Sequence, residues 1–301
     1  MSLEFDVVAL IRKRAEMLSS VRRFFSSRNI LEVDCPALSP FACVDAHIDV
    51  LATPAGYLHT SPEYRMKGLL ASGSGDIYQL SHVFRAEEKG KFHRVEFMML
   101  EWYRIGMSYQ EFIEETVDFI RFILGDLSVQ YISYREAMQE YAGIDYMDVS
   151  LQKLQELTGL TGWDFPSLLD YILTTYVEPH FDDSALFVLM DYPADQAALA
   201  RTYYKEAEHV AKRFEIYHRG LELANGYHEL SDPKEQRERF KRANIERERL
   251  GKQALPIDEH FLSALEKGLP DCCGVACGVD RLFLLQQGAS SLAEIFPWEV
   301  V

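Results

Sequence analysis

Residues 60–104 most limit how this chain can fold: TSPEYRMKGLLASGSGDIYQLSHVFRAEEKGKFHRVEFMMLEWYR. Ser61-Pro62-Glu63 reads as a helix start, with serine as cap, proline in the first turn and glutamate at the positive dipole end. The helix continues over 64–71 and stops before Gly73 and Gly75. Two antiparallel strands follow. Phe84-Arg85-Ala86-Glu87 closes the first, and residues 96–103 form the second. The polar, glycine-containing turn 88–94 joins them. Cations and carboxylates this dense on two strands suit a site that grips polyphosphate and an amine together. The residues alone leave a second reading open, a salt-bridged hairpin facing solvent.

The rest of the chain supplies helices and strands for that hairpin to join. Val8, Ile11, Ala15, Leu18, Val21, Phe24 and Phe25 recur at spacings of three and four, which predicts an amphipathic helix over 6–28 that stops at Asn29. A short strand over 30–34 is cut by Cys35-Pro36. Residues 46–60 read as two strands around the turn Pro54-Ala55-Gly56. Residues 109–125 form another amphipathic helix. Over 131–185 the pattern is helical, with helices at 134–141, 151–157 and 168–177, and this stretch reads as an insertion between two catalytic halves. Residues 187–190 are a buried strand.

Residues 213–231 alternate as a hairpin around Arg219-Gly220. A period of two puts Glu215 and Tyr217 on one face, with Glu222 and Ala224 opposite them. Like charges across a hairpin are unfavourable unless a cation sits between them, and Mg²⁺ on nucleotide phosphates would be such a cation. One inward and one outward carboxylate without metal is the alternative. Residues 233–250 form a charged helix with seven Lys/Arg and four Glu. It reads as a solvated face with pairs such as Glu235–Arg239, or as a docking face for an acidic partner. Last, Gly274 to Arg281 is a glycine-punctuated apolar strand leading into a helix over 282–287, and its small residues permit close approach to the backbone.

A net charge of −16 over 301 residues disfavours a broadly basic nucleic-acid surface without excluding a local basic pocket. No apolar run is long enough for a membrane span, and no signal peptide is expected, so a cytoplasmic location is expected. The odd count of five cysteines argues against a disulfide scaffold. Cys272, Cys273 and Cys277 cluster without the partner ligands of a zinc site, so small buried thiols are expected. There is no P-loop, Rossmann or kinase signature, so any ATP-binding fold must be a different one.

Three separated features line up: Leu31-Glu32-Val33-Asp34-Cys35-Pro36, Phe84-Arg85-Ala86-Glu87, and Gly278-Val279-Asp280-Arg281. In this order they resemble the three signature motifs of the class II aminoacyl-tRNA synthetases. Thr60-Ser61-Pro62-Glu63-Tyr64, Glu96 to Glu101 and Glu222 to Leu230 bring the resemblance closer to the lysyl branch. The first helix starts within about ten residues of Met1, which leaves no room for the anticodon-binding barrel of that branch. The chain therefore resembles the freestanding elongation factor P–lysine lysyltransferase family over nearly its whole length. The resemblance implies an α+β fold with a mixed, mainly antiparallel sheet flanked by helices. It also implies one catalytic domain over 1–301 with a helical insertion at about 131–185.

The resemblance also implies a reaction and roles. A lysine-type carboxylate attacks the ATP α-phosphate, and the acyl group then passes from the adenylate to a lysine side chain of elongation factor P, with no tRNA expected. Arg85 would bridge the α-phosphate and the substrate carboxylate, and Glu87 would hold the adenine side with Ala86 beside it. His93 would reach the terminal phosphates, while Phe97 and Arg281 would sandwich the adenine near Leu223 and Gly278. Glu215 and Glu222 would carry Mg²⁺. Glu63, Tyr103 and Glu229 would bind the substrate's amino groups, with Ser61, Pro62 and Asn225 orienting it. Ala276 stands where full synthetases usually have glycine, and the alanine is linked to (R)-β-lysine over α-lysine. One methyl in a tight pocket discriminates by about 1–3 kcal/mol. A homodimer through residues 6–36 is implied as well.

Two other functions remain open: a truncated ligase that activates α-lysine for another acceptor, and a non-catalytic regulatory paralogue. Arg94 and Val95 depart from the family's usual Asn-Pro in the turn. Either the loop is looser there or Arg94 adds a phosphate contact.

Overall fold

The computed structural model describes residues 7–296. Nine strands form one mixed sheet in the order 31–32, 77–84, 96–105, 272–278, 221–228, 208–218, 185–193, 128–133, with 202–205 paired to 208–218. Only the two outer pairs, 31–32 with 77–84 and 128–133 with 185–193, are parallel; the centre is antiparallel. Helices cover the sheet, which makes the fold α+β as the family resemblance implies.

Side-chain alternation divides the sheet into a core face and an open face. On Glu96–Ile105, Met98, Leu100 and Trp102 pack into the main core with Phe25, Phe119 and Phe112, while Phe97, Met99, Glu101 and Tyr103 turn to the other side. The helices Val7–Ser26, Tyr109–Leu124 and Val279–Gln287 bring that core its apolar stripes. A second core holds the insertion, around Tyr134, Leu169 and Phe187. A third lies under Glu63–Ala71, where Tyr64 stacks on Phe261 at 4.3 Å between ring centroids.

Several expectations change in detail. The first helix ends at Ser26, and Asn29 takes the left-handed backbone (φ 56°) that its role as a stop requires. Regular pairing at the following strand is limited to Leu31–Glu32, because Gln79 captures the backbone of Cys35 before the proline. Pro62 is the N-cap of Glu63–Ala71 and Ser61 lies before it, yet Ser61 Oγ still accepts the Glu63 N–H at 3.0 Å. The stretch 131–185 is not helical throughout. Ser128–Ser133 is an edge strand, followed by helices Tyr134–Ala142, Leu151–Thr158 and Phe165–Ile172 and a π-helical turn Leu173–Val177. The last strand, Cys272–Gly278, gives way to helix at Val279, so Arg281 sits in a helical first turn.

The second hairpin departs most. Its strands are Glu208–His218 and Leu221–His228, with a bulge where Ile216 pairs with Ala224 but Tyr217 pairs with Glu222. Leu223 is the extra residue, and it is buried. The bulge changes the parity of the strand, so Glu222 joins Asn225, rather than Ala224, on the open face. Glu215 consequently faces Asn225 across the ladder, and the two glutamates are not a cross-strand pair.

Candidate active site

The open face is the floor of a cleft of about 980 Å³, walled by the insertion on one side and by Pro233–Arg249 on another. It gathers Ser61, Glu63, Arg85, His93, Phe97, Tyr103, Glu215, Glu222, Asn225, Glu229, Ala276, Gly278 and Arg281. Residues up to 220 positions apart in the chain thus share one cavity. The strand Cys272–Gly278 brings the small residues Gly274, Ala276 and Gly278 to it, which lets a ligand approach the backbone there.

One end of the cleft is rich in carboxylates. Glu101 is 3 % exposed; its Oε2 accepts from Ser61 Oγ at 2.7 Å and its Oε1 from Tyr103 at 2.6 Å. Glu63 and Glu229 face a common cation, Lys67, whose Nζ lies 2.5 Å from one and 2.6 Å from the other. Burial, and then the Glu63 charge, pushes Glu101 up to about 7. Burial pushes Glu229 up to about 8, with Lys67 opposing and Glu63 and Glu101 adding to it. Glu229 Oε2 is buried, with Lys67 as its charged partner, and a carboxylate oxygen has two lone pairs, so it can take a second donor. Gly274 makes the arrangement possible. A Cβ there would stand 2.5 Å from Tyr103 Cδ1 and closer still to Glu229 Oε1.

The other end is cationic. Arg281 donates to the Glu222 carbonyl at 2.7 Å and meets His93 Nε2 at 2.9 Å. Burial and the Arg281 charge push His93 down, which keeps it neutral near pH 7. Arg85 lies 5.2 Å over the Phe97 ring and holds Glu88 at 3.5 Å; its buried Nε has no hydrogen-bond partner among the described residues. Glu222 is pushed up to about 7 by burial and by Glu215, although part of its side chain is open to the cleft.

Some expected residues stand elsewhere. Glu87 is exposed and lies off the cleft wall, because the chain turns at its positive φ of 65° and Glu88 follows into the cleft instead. Pro62, Ala86 and Leu223 shape the backbone without lining the cavity: a cap, a bridge to Asp49 and the bulge. Glu215 is largely occupied. Its Oε1 takes Arg213 at 2.5 Å and Asn225 Nδ2 at 2.8 Å, and its Oε2 takes the Tyr217 hydroxyl. One Oε2 lone pair is left, whereas Glu222 is open. This pair fits a cation that keeps most of its ligands from elsewhere, as Mg²⁺ does. Among the described residues, no group of three or more His, Cys, Asp or Glu is arranged to hold a metal by itself.

Four residues at or beneath the cleft are not singled out in the sequence reading. Glu101 was legible, since it shares the face of Phe97 and Tyr103. Lys67 stands one helical turn after Glu63, and Arg213 stands two residues before Glu215, but neither spacing announces a buried cation. Glu178, pushed up to about 7 by burial and by Glu215 and Glu222, comes from the insertion and carries no local signal. The five cysteines are free, and four are buried. No helix among the described residues is long and apolar enough to cross a membrane. The cations of Pro233–Arg249 are largely satisfied internally: Arg237 by Glu259, Arg239 by Glu235 and two carbonyls, Arg247 by backbone carbonyls and Asp49. The solvated-face reading of that helix therefore fits better than a docking face.

A carboxylate end and a guanidinium end on an antiparallel sheet describe a class. The family of class II tRNA synthetases (D, K and N) matches residues 4–299, and the chain belongs to it. Within it, the chain belongs with the elongation factor P–(R)-β-lysine ligases. It is 41 % identical over 303 residues to the elongation factor P–(R)-β-lysine ligase of Pasteurella multocida, covering 95 % of this chain and 94 % of that protein. It is 42 % identical over 311 residues to the protein of the same name from Edwardsiella ictaluri, covering 97 % and 95 %. The one from Vibrio parahaemolyticus is 38 % identical over 310 residues, covering 96 % of each. Family membership implies ATP as a substrate.

Proposed function

We propose that the chain activates a lysine-type amino acid, (R)-β-lysine or α-lysine, with ATP and transfers it to a lysine side chain of elongation factor P in the cytoplasm. The observation that carries this reading is the division of one cleft into a carboxylate end, where Glu63, Glu101 and Glu229 gather, and an arginine end.

The carboxylates receive the amines. A cationic amine leaving water needs charged partners, and Glu63, Glu101 and Glu229, with the Tyr103 hydroxyl, supply them. Ser61 and Asn225 orient the rest of the molecule. Asn225 is itself held by Glu215, and its buried Oδ1 has no hydrogen-bond partner among the described residues. At the other end, Arg85 holds the substrate carboxylate against the α-phosphate and stabilises the charge that builds up there. Phe97 and Arg281 offer an aromatic face and a guanidinium plane to a base. His93, fixed by Arg281, faces the terminal phosphates. Glu222, with the remaining lone pair of Glu215, would hold Mg²⁺, which neutralises phosphate charge when bound. The exposed apolar residues Val7, Val8, Ile11 and Leu31 support a homodimer through the first helix and strand.

The test uses the whole chain, ATP, radiolabelled (R)-β-lysine or α-lysine, and purified elongation factor P. Label on the factor is expected. No label with either amino acid would refute the reading, and label on a different acceptor alone would favour the truncated-ligase alternative.

A further inference from the structure

Lys67 is the cation that Glu63 and Glu229 share beneath the amine end of the cleft, and it is sealed completely, with 0 % exposure. It stands one turn after Glu63 on Glu63–Ala71, between the core residues Met66 and Leu70. A buried ion pair seldom stabilises a fold better than an apolar side chain of the same size, so packing alone does not account for a lysine here. Its surroundings do. Glu63 faces it from its own helix, Glu229 from the end of the second hairpin, and Glu101 from the first hairpin. The nearby thiols Cys43 and Cys272 are held protonated by burial.

We propose that Lys67 is a positioning residue: a built-in ammonium that holds Glu63 and Glu229 in place and trims the pocket's charge to match a diamino acid. The inference rests on the function proposed above. With all three carboxylates ionised, as amine binding requires, they and one ammonium sum to 1 − 3 = −2, which the two ammonium groups of lysine or β-lysine cancel. The substrate's own carboxylate is left to Arg85. Without Lys67 the same ionised pocket would carry −3, and its carboxylates would hold their protons to a higher pH than they already do. The contact geometry agrees. Lys67 donates to Glu63 Oε1 at 2.5 Å and pairs with Glu229 Oε2 at 2.6 Å, so one ammonium spans both carboxylates. Each carboxylate keeps further lone pairs for a substrate amine.

The test is Lys67→Met, which keeps the volume and removes the charge, with Lys67→Gln as the second variant should the methionine chain not fold. ATP–pyrophosphate exchange is measured from pH 6 to 9. The KM for the diamino acid should rise roughly tenfold or more at pH 7, while the KM for ATP stays within about twofold. The pH above which amino-acid binding improves should move up by about one unit or more, as removal of an adjacent opposite charge requires. A purely structural lysine would instead raise both KM values together and leave the pH profile in place, which would overturn the proposal. A readout without turnover separates it from the functional reading: ¹³C-carboxyl titrations of Glu229 in the full chain should shift upward in the variant. Unshifted titrations overturn the Lys67 proposal. A wild-type chain that activates no diamino acid, with titrations shifted as expected, overturns the functional reading and leaves the electrostatic role of Lys67 standing.

Discussion

Glu101→Gln should make the empty protein more stable and a poorer enzyme. Glu101 is almost fully buried, and its carboxyl is raised from the usual 4.5 to about 7 by burial and by the Glu63 charge. A folded-state value above the unfolded one means that the native protein prefers the proton. Ionising the group therefore works against folding at pH values above 7, and this cost vanishes below the unfolded value near pH 4.5. The difference, 7 − 4.5 = 2.5 units, corresponds to about 3 kcal/mol at 1.36 kcal/mol per unit. Glutamine never ionises, and it keeps the hydrogen bonds, since its oxygen accepts from Tyr103 and its amide can donate to a turned Ser61 hydroxyl. The variant should match wild type at pH 4 and gain about 3 kcal/mol at pH 8.5, or about 5 °C in Tm for a chain of this length. Thermal denaturation at the two pH values reads the gain. Pyrophosphate exchange should show the amino-acid KM rising about 10- to 100-fold, the worth of a lost charged hydrogen bond. A variant less stable than wild type at pH 8.5, or equally stabilised at both pH values, would refute the assignment of Glu101 as an uncompensated carboxylate kept for its ligand.

Three further outcomes follow from the same cleft. Gly274→Ala should lower stability by about 1–3 kcal/mol and raise the amino-acid KM, because the new methyl collides with Tyr103 and Glu229; a variant with wild-type melting and kinetics would contradict this. In the wild type, the amino-acid KM should fall as pH rises from 6 to 8.5, since Glu101 and Glu229 bind cations only when ionised and both are raised toward neutrality; a flat profile would count against them as amine partners. Ala276 lies between Glu101 and Asn225 in the sheet register, so Ala276→Gly should shift preference toward α-lysine by about 10- to 200-fold at most. Unchanged competition between the two amino acids would put the discriminator elsewhere.

Much of this cleft was legible because a strand carries its own orientation. Once residues 96–103 are taken as a strand, the faces of Phe97 and Tyr103 follow from a period of two, and Glu101 follows with them. The same rule failed at Glu222. The bulge at Leu223 belongs to the pairing of two strands, and alternation in one strand cannot reveal it. Glu215 failed differently. Its position on the open face was correct, but its partners Arg213, Tyr217 and Asn225 occupy most of its oxygen lone pairs, and a spacing does not say which groups fill a carboxylate. The end of the strand Ser128–Ser133, from residue 131 on, falls in a stretch whose pattern predicts helix, because a solvent-edge strand shows no apolar run long enough to compete with the helices beside it.

Arg94 shows how a departure from a family's pattern can be absorbed. The sequence leaves two consequences for losing the usual Asn-Pro: a looser loop or a new phosphate contact. The side chain is engaged in a third way. Its guanidinium lies 4.6 Å over the Phe296 ring and donates to the Leu292 carbonyl at 3.4 Å, while the Leu292 N–H donates to Lys91 in the same loop at 3.0 Å. Arg14 covers Phe296 from a second position at 4.7 Å and pairs with Asp280 at 2.7 Å. Asp280 in turn accepts the Met98 N–H at 2.8 Å, one residue beyond Phe97, and is the neighbour of Arg281. The constraint that a proline would impose through its own ring is met here by contacts among the loop, the first helix and the C-terminal turn. A loop fixed this way depends on residues about 200 positions away, so its geometry becomes readable only when Leu292 and Phe296 are seen beside it.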